Sequence, residues 1–343
     1  MKILVNTYDT AFQNVAGGVH SRIVKTVETL RNAGITVDYF DKFKTRIEDY
    51  DILQVFMLDV TNFNLINYAK DKGLKVVLSA VVTVGSGKNI DFYWRIRKLP
   101  IMTTYKLLFQ EARMVDAIIA ETETERAFIC EHYHVPKNKV YVVPNGADEI
   151  ATKSRKIFDA IGRECAYALE VARFDPNKNQ MNVIKALKNT DTEVVFIGGG
   201  DFTAPEYYNR CVEEAGGAPN IHFIGWLDAG DELLQSAFVN AKVLISSSYH
   251  ETFGLTIIEG IMAGATPAIS RTLPILDYTC FKECITFVPS DIQDIKRQVE
   301  KAMKQPKDEN LMNEVRKTFS WLNIADEYMD IYRNVSDDID SKS

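Results

Sequence analysis

Val243-Leu-Ile-Ser-Ser-Ser-Tyr-His-Glu251-Thr-Phe-Gly254-Leu-Thr-Ile-Ile-Glu259-Gly-Ile-Met-Ala-Gly264-Ala-Thr-Pro267 reads as a strand, a loop and a helix. The short apolar run at its start suits a parallel strand buried on both faces. The loop holds Glu251 and Gly254, and the helix opens at about Leu255. A loop at the carboxyl end of a parallel strand is where open α/β sheets bind ligands. This one runs into a helix N-terminus, whose free N–H groups and partial positive charge favour a phosphate.

Working outward, the same alternation covers most of the chain. Short strands rich in Val and Ile are expected over residues 2–5, 36–39, 52–56, 75–84, 117–120 and 139–143, with helices at 18–33, 63–72 and 124–132. Gly34 closes the first helix, where a left-handed backbone is wanted. Residues 148–163 are polar and mixed and read as a linker. Strands then resume at 165–171, 193–197, 220–224, 242–246, 266–270 and 284–288. A last helix is expected over 312–333, followed by a polar, disordered tail over 336–343. The fold class is therefore α/β, with two doubly wound domains of similar size and a cleft between them.

Composition narrows the function. The 343 residues fit two domains of about 150 each. Forty basic against 47 acidic side chains give a net charge of -7, whereas a protein gripping nucleic-acid phosphates normally carries a basic excess. The longest apolar run, 74–85, contains Lys75 and is far too short to span a bilayer. The chain opens on a strand rather than a signal peptide, and its five cysteines show no second pair at metal-ligand spacing. They read as reduced, structural thiols in a cytoplasmic protein.

Several motifs fail on inspection. Gly85-Ser-Gly87-Lys88 lacks the Gly and the Ser or Thr that a phosphate-binding P-loop needs at Val82 and Asn89. Gly198-Gly199-Gly200 misses the dinucleotide spacing. His132 and His134 have no third ligand nearby and read as flanking a helix end, while Asp338 and Asp340 sit in the tail. No metal site is expected.

What remains is a set of residues suited to an anionic, hydroxylated ligand. Glu251 precedes the helix and Glu259 lies inside it, so the two carboxylates can serve different parts of one elongated molecule. Carboxylates accept paired hydrogen bonds from vicinal hydroxyls. The plainer reading makes Glu251 a helix-start acid and Glu259 a solvated one, but Glu259 adjoins the small residues Gly260, Ala263 and Gly264. Arg173 and Lys178 flank a Pro-containing loop after another strand, as surface cations or as partners for a diphosphate. Gly17 and Gly18, after the first strand, permit a close backbone approach to an anion.

These motifs, with Val143-Pro144-Asn145-Gly146-Ala147-Asp148 and Phe319-Ser-Trp321, resemble in order and spacing those of glycosyltransferase family 4, from Lys2 to about Arg333. The resemblance implies a GT-B fold of two Rossmann-like domains facing a central cleft, 1–150 binding the acceptor and 151–318 the nucleotide sugar, with a closing helix over 319–335 that returns to the N-terminal domain. It also implies retaining transfer from a nucleotide-diphosphate sugar, UDP- or GDP-linked, without a metal or other cofactor. It implies that Gly17, Gly18, Arg173 and Lys178 bind the donor diphosphate and that Glu259 binds the ribose. Glu251, as the catalytic residue, with Phe253, Gly254 and Leu255 would meet the sugar. One departure stands out: the family often carries a His after the strand at 75–84, where this chain has Ser79 and Thr83. Either one of them contacts the sugar instead, or the site is impaired. Arg271-Thr-Leu-Pro274 also replaces a frequent glycine pair.

The acceptor is expected to be a glycan, a lipid-linked molecule or another hydroxyl compound, in polysaccharide or glycoconjugate synthesis. Between 88 and 113 six basic and two acidic residues are interleaved with Phe92, Tyr93, Trp94, Tyr105 and Phe109. Two readings stand: aromatics of an amphipathic helix packed in the core, or peripheral contact with the inner face of a membrane. The rival functions are a sugar-nucleotide epimerase, which needs no acceptor, a phosphorylase, which releases sugar phosphate, and a non-catalytic partner of the same fold that turns over nothing.

Overall fold

The structure is a computed structural model that describes residues 1–13, 18–85, 87–200 and 204–337. Its elements run β1 (Lys2–Thr7), α1 (Gly18–Asn32), β2 (Thr36–Tyr39), β3 (Ile52–Phe56), α2 (Phe63–Asp71), β4 (Lys75–Ser79), α3 (Lys88–Ile96), α4 (Thr104–Met114), β5 (Ala117–Ala120), α5 (Glu123–His132) and β6 (Val140–Val142). There follow α6 (Lys156–Ile161), β7 (Tyr167–Val171), α7 (Gln180–Leu187), β8 (Glu193–Ile197), α8 (Pro205–Ala215), β9 (Ile221–Gly225), α9 (Glu232–Asn240) and β10 (Val243–Ser246). The chain closes with α10 (Leu255–Ala263), β11 (Thr266–Ser270), β12 (Ile285–Phe287), α11 (Ile292–Met303), α12 (Glu309–Phe319) and α13 (Trp321–Asp337). Two compact units result: Met1–Gly146 joined by the segment from Phe319 onward, and Ala147–Thr318.

The first unit is built on a six-stranded sheet in the order β2-β1-β3-β4-β5-β6, with every pairing parallel. Parallel strands need helical crossovers, which cover both faces and explain why β3 and β5 are buried at every residue. α13 packs on this sheet through Ile324, Tyr328, Ile331 and Tyr332. A buried polar network runs beneath it. The Arg22 guanidinium lies 2.8 Å from Glu121 and donates to Tyr328. Tyr328 meets Ser79 at 3.0 Å, Gln54 donates to Ser79 at 3.0 Å, and Tyr332 donates to Gln54 at 3.0 Å. Ser79, one candidate for the missing histidine's place, is thus fully buried and engaged in this network, while Thr83 is exposed.

The second unit carries another parallel six-stranded sheet, ordered β12-β11-β10-β7-β8-β9. Counted within the unit this is the 3-2-1-4-5-6 Rossmann order, whose strand sequence reverses between β7 and β10.

Four sequence expectations need correction. The linker at 148–163 contains α6, because Ile157 and Ile161 bury one face against α9 while Lys156 and Asp159 point their charges outward. The final helix is two helices. Ser320 interrupts it, and its Oγ accepts the Asn323 N–H at 3.3 Å as an N-cap of α13. The strand expected over 75–84 ends at Ser79: Val81 turns to φ 49°, and the Val82 N–H leaves the ladder to donate to Glu125 at 2.6 Å. The tail expected from 336 starts later, since α13 runs through Asp337; residues 338–343 lie outside the described residues.

The aromatics of 88–113 divide. Phe109 is buried and Tyr93, Trp94 and Tyr105 pack on the core, but Phe92, Leu99, Ile101 and Met102 are 57%, 48%, 55% and 71% exposed. His132 ends α5 and pairs with Asp91 at 2.7 Å, and His134 stacks on Trp94.

Candidate active site

Where strand order reverses, the connections leaving two neighbouring strands go to opposite faces of the sheet and open a crevice. In the second unit those strands are β7 and β10, paired at Ala168 with Val243 and Leu169 with Leu244. The loop after β7 carries Arg173 and Lys178. The loop after β10 carries Glu251 and runs into α10.

The β7 loop is shaped by Asp175. Its Oδ1 accepts the N–H groups of Asn177 and Lys178 at 2.8 and 3.2 Å, which folds the chain tightly, and its Oδ2 meets Arg173 Nε at 3.2 Å. Asn177 then laces this loop to its neighbour: its side chain donates to His250 O at 2.8 Å and accepts from His250 N at 3.0 Å. Asn179 adopts φ 63° and donates to Ser247 O and Pro289 O at 3.2 and 2.7 Å. Lys178 is thereby delivered to Glu251, with Nζ 2.5 Å from Oε1. Ser248 Oγ donates to the same carboxylate oxygen at 2.7 Å.

Past Glu251 the backbone enters α10 through Gly254. Its φ of 108° is one that side chains rarely adopt, and a Cβ there would come 2.9 Å from Ile257. Among the described residues no side chain caps this helix, which leaves its leading N–H groups open to an anionic ligand. Phe253 is buried edge-on to Tyr278, fixing the approach. Glu259, half-buried on α10, has its pKa raised to about 7, first by burial and then by the negative charge of Asp148. Gly260 beside it brings α10 close to β10, since a Cβ would stand 2.7 Å from Leu244.

The fold therefore gathers Arg173, Lys178, Glu251, Phe253, Gly254, Leu255 and Glu259 in the second unit, around the reversal of its sheet. Gly18 opens α1 on the first unit and is exposed; Gly17 lies outside the described residues. Sequence reasoning passed over Asn177, whose signal is the Asp175-Pro176-Asn177 turn, and Ser247 and Ser248, whose signal is a run of polar residues directly behind an apolar strand. It also passed over Glu170, a buried acid within β7. Gly198, dismissed as a dinucleotide motif, has a different job. At φ 147°, it sits where a Cβ would be 1.9 Å from Ala172 O, next to Arg173. Among the described residues no group of three or more His, Cys, Asp or Glu could hold a metal ion.

Residues 156–318 match the family described as Glycosyl transferases group 1. The chain is 24% identical over 276 residues to the processive diacylglycerol alpha-glucosyltransferase of Acholeplasma laidlawii, covering 78% of this chain and 79% of that one. Anabaena Alr3699/HepE in complex with UDP superposes with a TM-score of 0.74 at 13% identity, over 97% of this chain and 100% of that one. Sucrose-phosphate synthase from Thermosynechococcus elongatus gives a TM-score of 0.76 at 16% identity, over 98% and 99%.

Proposed function

We propose that this chain is a glycosyltransferase of the GT-B superfamily, as its family match and relatives support, and specifically a retaining hexosyltransferase of family 4 that uses a UDP- or GDP-linked sugar without a metal. The observation that carries this reading is the convergence of Lys178, Glu251 and the open N-terminus of α10 at the reversal point of the second sheet. As the bond between sugar and diphosphate breaks, negative charge grows on the leaving phosphate. Cations and helix N–H groups already in place stabilise that charge more than the ground state, which lowers the barrier. Lys178 has three donor hydrogens and can serve Glu251 and a phosphate oxygen together. Arg173, largely exposed, supplies the second cation. Glu259 accepts the ribose hydroxyls, and Glu251 with the backbone of Phe253, Gly254 and Leu255 orients the sugar. The UDP bound by HepE supports a nucleotide donor.

For the acceptor, a lipid-linked molecule reached at a membrane surface is favoured by one feature. Phe92, Leu99, Ile101 and Met102 are exposed beside Arg95 and Lys98. Glu111, on the same stretch, has its pKa raised to about 8, mainly by burial, so it subtracts little from the local positive charge at neutral pH. Apolar side chains ringed by cations suit an anionic bilayer surface.

The donor is tested by thermal unfolding with UDP, GDP, ADP and CMP, each with and without a chelator. A ligand at about a hundred times its Kd adds roughly 2.7 kcal/mol, which moves Tm by several degrees. One nucleotide should act with the chelator present, and the matching sugar nucleotide should lose its sugar to an acceptor with the anomeric configuration kept. Binding without turnover would favour a non-catalytic partner. Sugar phosphate formed from added phosphate would favour a phosphorylase, and acceptor-free interconversion an epimerase.

A further inference from the structure

Ser247 follows β10 directly and is fully buried. Its Oγ lies 2.6 Å from the main-chain oxygen of Lys178 and 2.7 Å from Oε1 of Glu170. If Glu170 is ionised, both neighbours are acceptors, and a hydroxyl has one hydrogen to give. One of the two short contacts would then bring oxygen lone pairs together with no proton between them. The conflict disappears if the proton sits on the carboxyl: Glu170 Oε1–H donates to Ser247 Oγ, and Ser247 Oγ–H donates to Lys178 O. The remaining oxygen agrees, because Glu170 Oε2 is buried and has no hydrogen-bond partner among the described residues. That is tolerable for a neutral carbonyl oxygen and costly for a carboxylate.

We propose that Glu170 is a protonated positioning residue, holding the main chain of the Lys178 loop through Ser247 and releasing it on ionisation. The inference rests on the donor-site reading above for its catalytic meaning, since the loop it holds presents Lys178 to the diphosphate. The charged and titratable groups around Glu170 are Lys178 and Glu251 from the two loops and Tyr207 and Cys211 from α8. Burial dominates and raises the carboxyl to about 8; the Ser247 hydroxyl and N–H and the Lys178 charge pull it back, and Glu251 pushes it up again. Above that pH the added charge breaks the relay at the Lys178 carbonyl.

Two readouts need no nucleotide. Difference infrared spectra of wild type against Glu170→Gln should show a protonated-carboxyl stretch at pH 7 that disappears by pH 9. At pH 7, amide exchange over residues 175–180 should speed up in Ser247→Ala and stay unchanged in Glu170→Gln, whose amide can donate to Ser247 as the acid does. The third readout is UDP affinity (or that of whichever nucleotide shifts Tm). Relative to Glu170→Gln, wild type should weaken about tenfold from pH 7 to pH 9, and Glu170→Gln should show no alkaline decline. No carboxyl band at pH 7, unchanged exchange in Ser247→Ala, or the same alkaline decline in Glu170→Gln would each overturn the proposal. A wild type that binds no nucleotide at any pH refutes the donor site instead, leaving the infrared and exchange results to decide Glu170.

Discussion

Lys178 and Glu251 stand 73 positions apart in the chain yet meet with Nζ 2.5 Å from Oε1. Each comes from a different loop at the reversal point of one sheet, and the pair is partly open to solvent. An ion pair in such a setting adds only about 0–1 kcal/mol to stability. Its value lies in where it holds two charges.

Lys178→Ala should therefore leave Tm nearly unchanged without ligand. It should abolish the nucleotide-induced shift and lower the transfer rate about 10²–10³-fold. Scanning fluorimetry and a donor-turnover assay separate the two effects. A variant that unfolds early would assign Lys178 to the scaffold.

Glu259 predicts an acid limb. With its pKa raised to about 7 by burial and Asp148, the carboxyl gains a proton as pH falls from 8 to 6 and loses acceptor capacity for ribose hydroxyls. Nucleotide affinity should fall over that range in wild type. Glu259→Gln should bind more weakly than wild type at pH 8 and show no acid limb in titration calorimetry. A wild type with flat affinity between pH 6 and 8 would remove Glu259 from the ribose.

In the first unit, Arg22 and Glu121 form a buried pair at 2.8 Å. Burial works against the charge on both, and the two support each other, with Tyr328 on the guanidinium. Arg22→Met strands Glu121 in the core and should destabilise the protein by about 3–5 kcal/mol. Chemical denaturation reads this directly. The double variant Arg22→Met/Glu121→Leu should recover much of the loss.

Glu111 predicts a pH-dependent stability. Its carboxyl is buried, one oxygen accepts from Asp59 N at 3.3 Å, and the other has no partner among the described residues. The folded pKa, raised to about 8, lies above the unfolded value near 4.5. The folded state thus binds the extra proton, and stability falls as pH rises through that window, to be lost by about pH 8. Glu111→Gln should raise Tm at pH 8–9 by several degrees relative to wild type and change it little at pH 4.5.

Much of this was legible in the residues. Strand and helix alternate with a clear period because parallel strands buried on both faces must be apolar throughout. Gly254 and Glu259 announced a helix N-terminus with a carboxylate inside it. Ile157 and Ile161 were not legible as a helix, since two apolar residues among charges make a weak pattern until α9 is there to receive them. Nor was the break at Ser320, whose neighbours Phe319 and Trp321 continue the apolar signal on both sides.

What the sequence by itself determined is local: which segments are strands, where helices begin, and which residue types stand at the carboxyl ends of the strands. Strand order is not local. It is chosen by how crossovers pack on a twisted sheet, and it is strand order that brings the loop after β7 beside the loop after β10. Only the tertiary structure decided that Lys178 reaches Glu251, and that Ser247 sits between the Lys178 carbonyl and Glu170. The protonation of Glu170 follows from that placement, because the state of a buried acid is set by the partners that surround it.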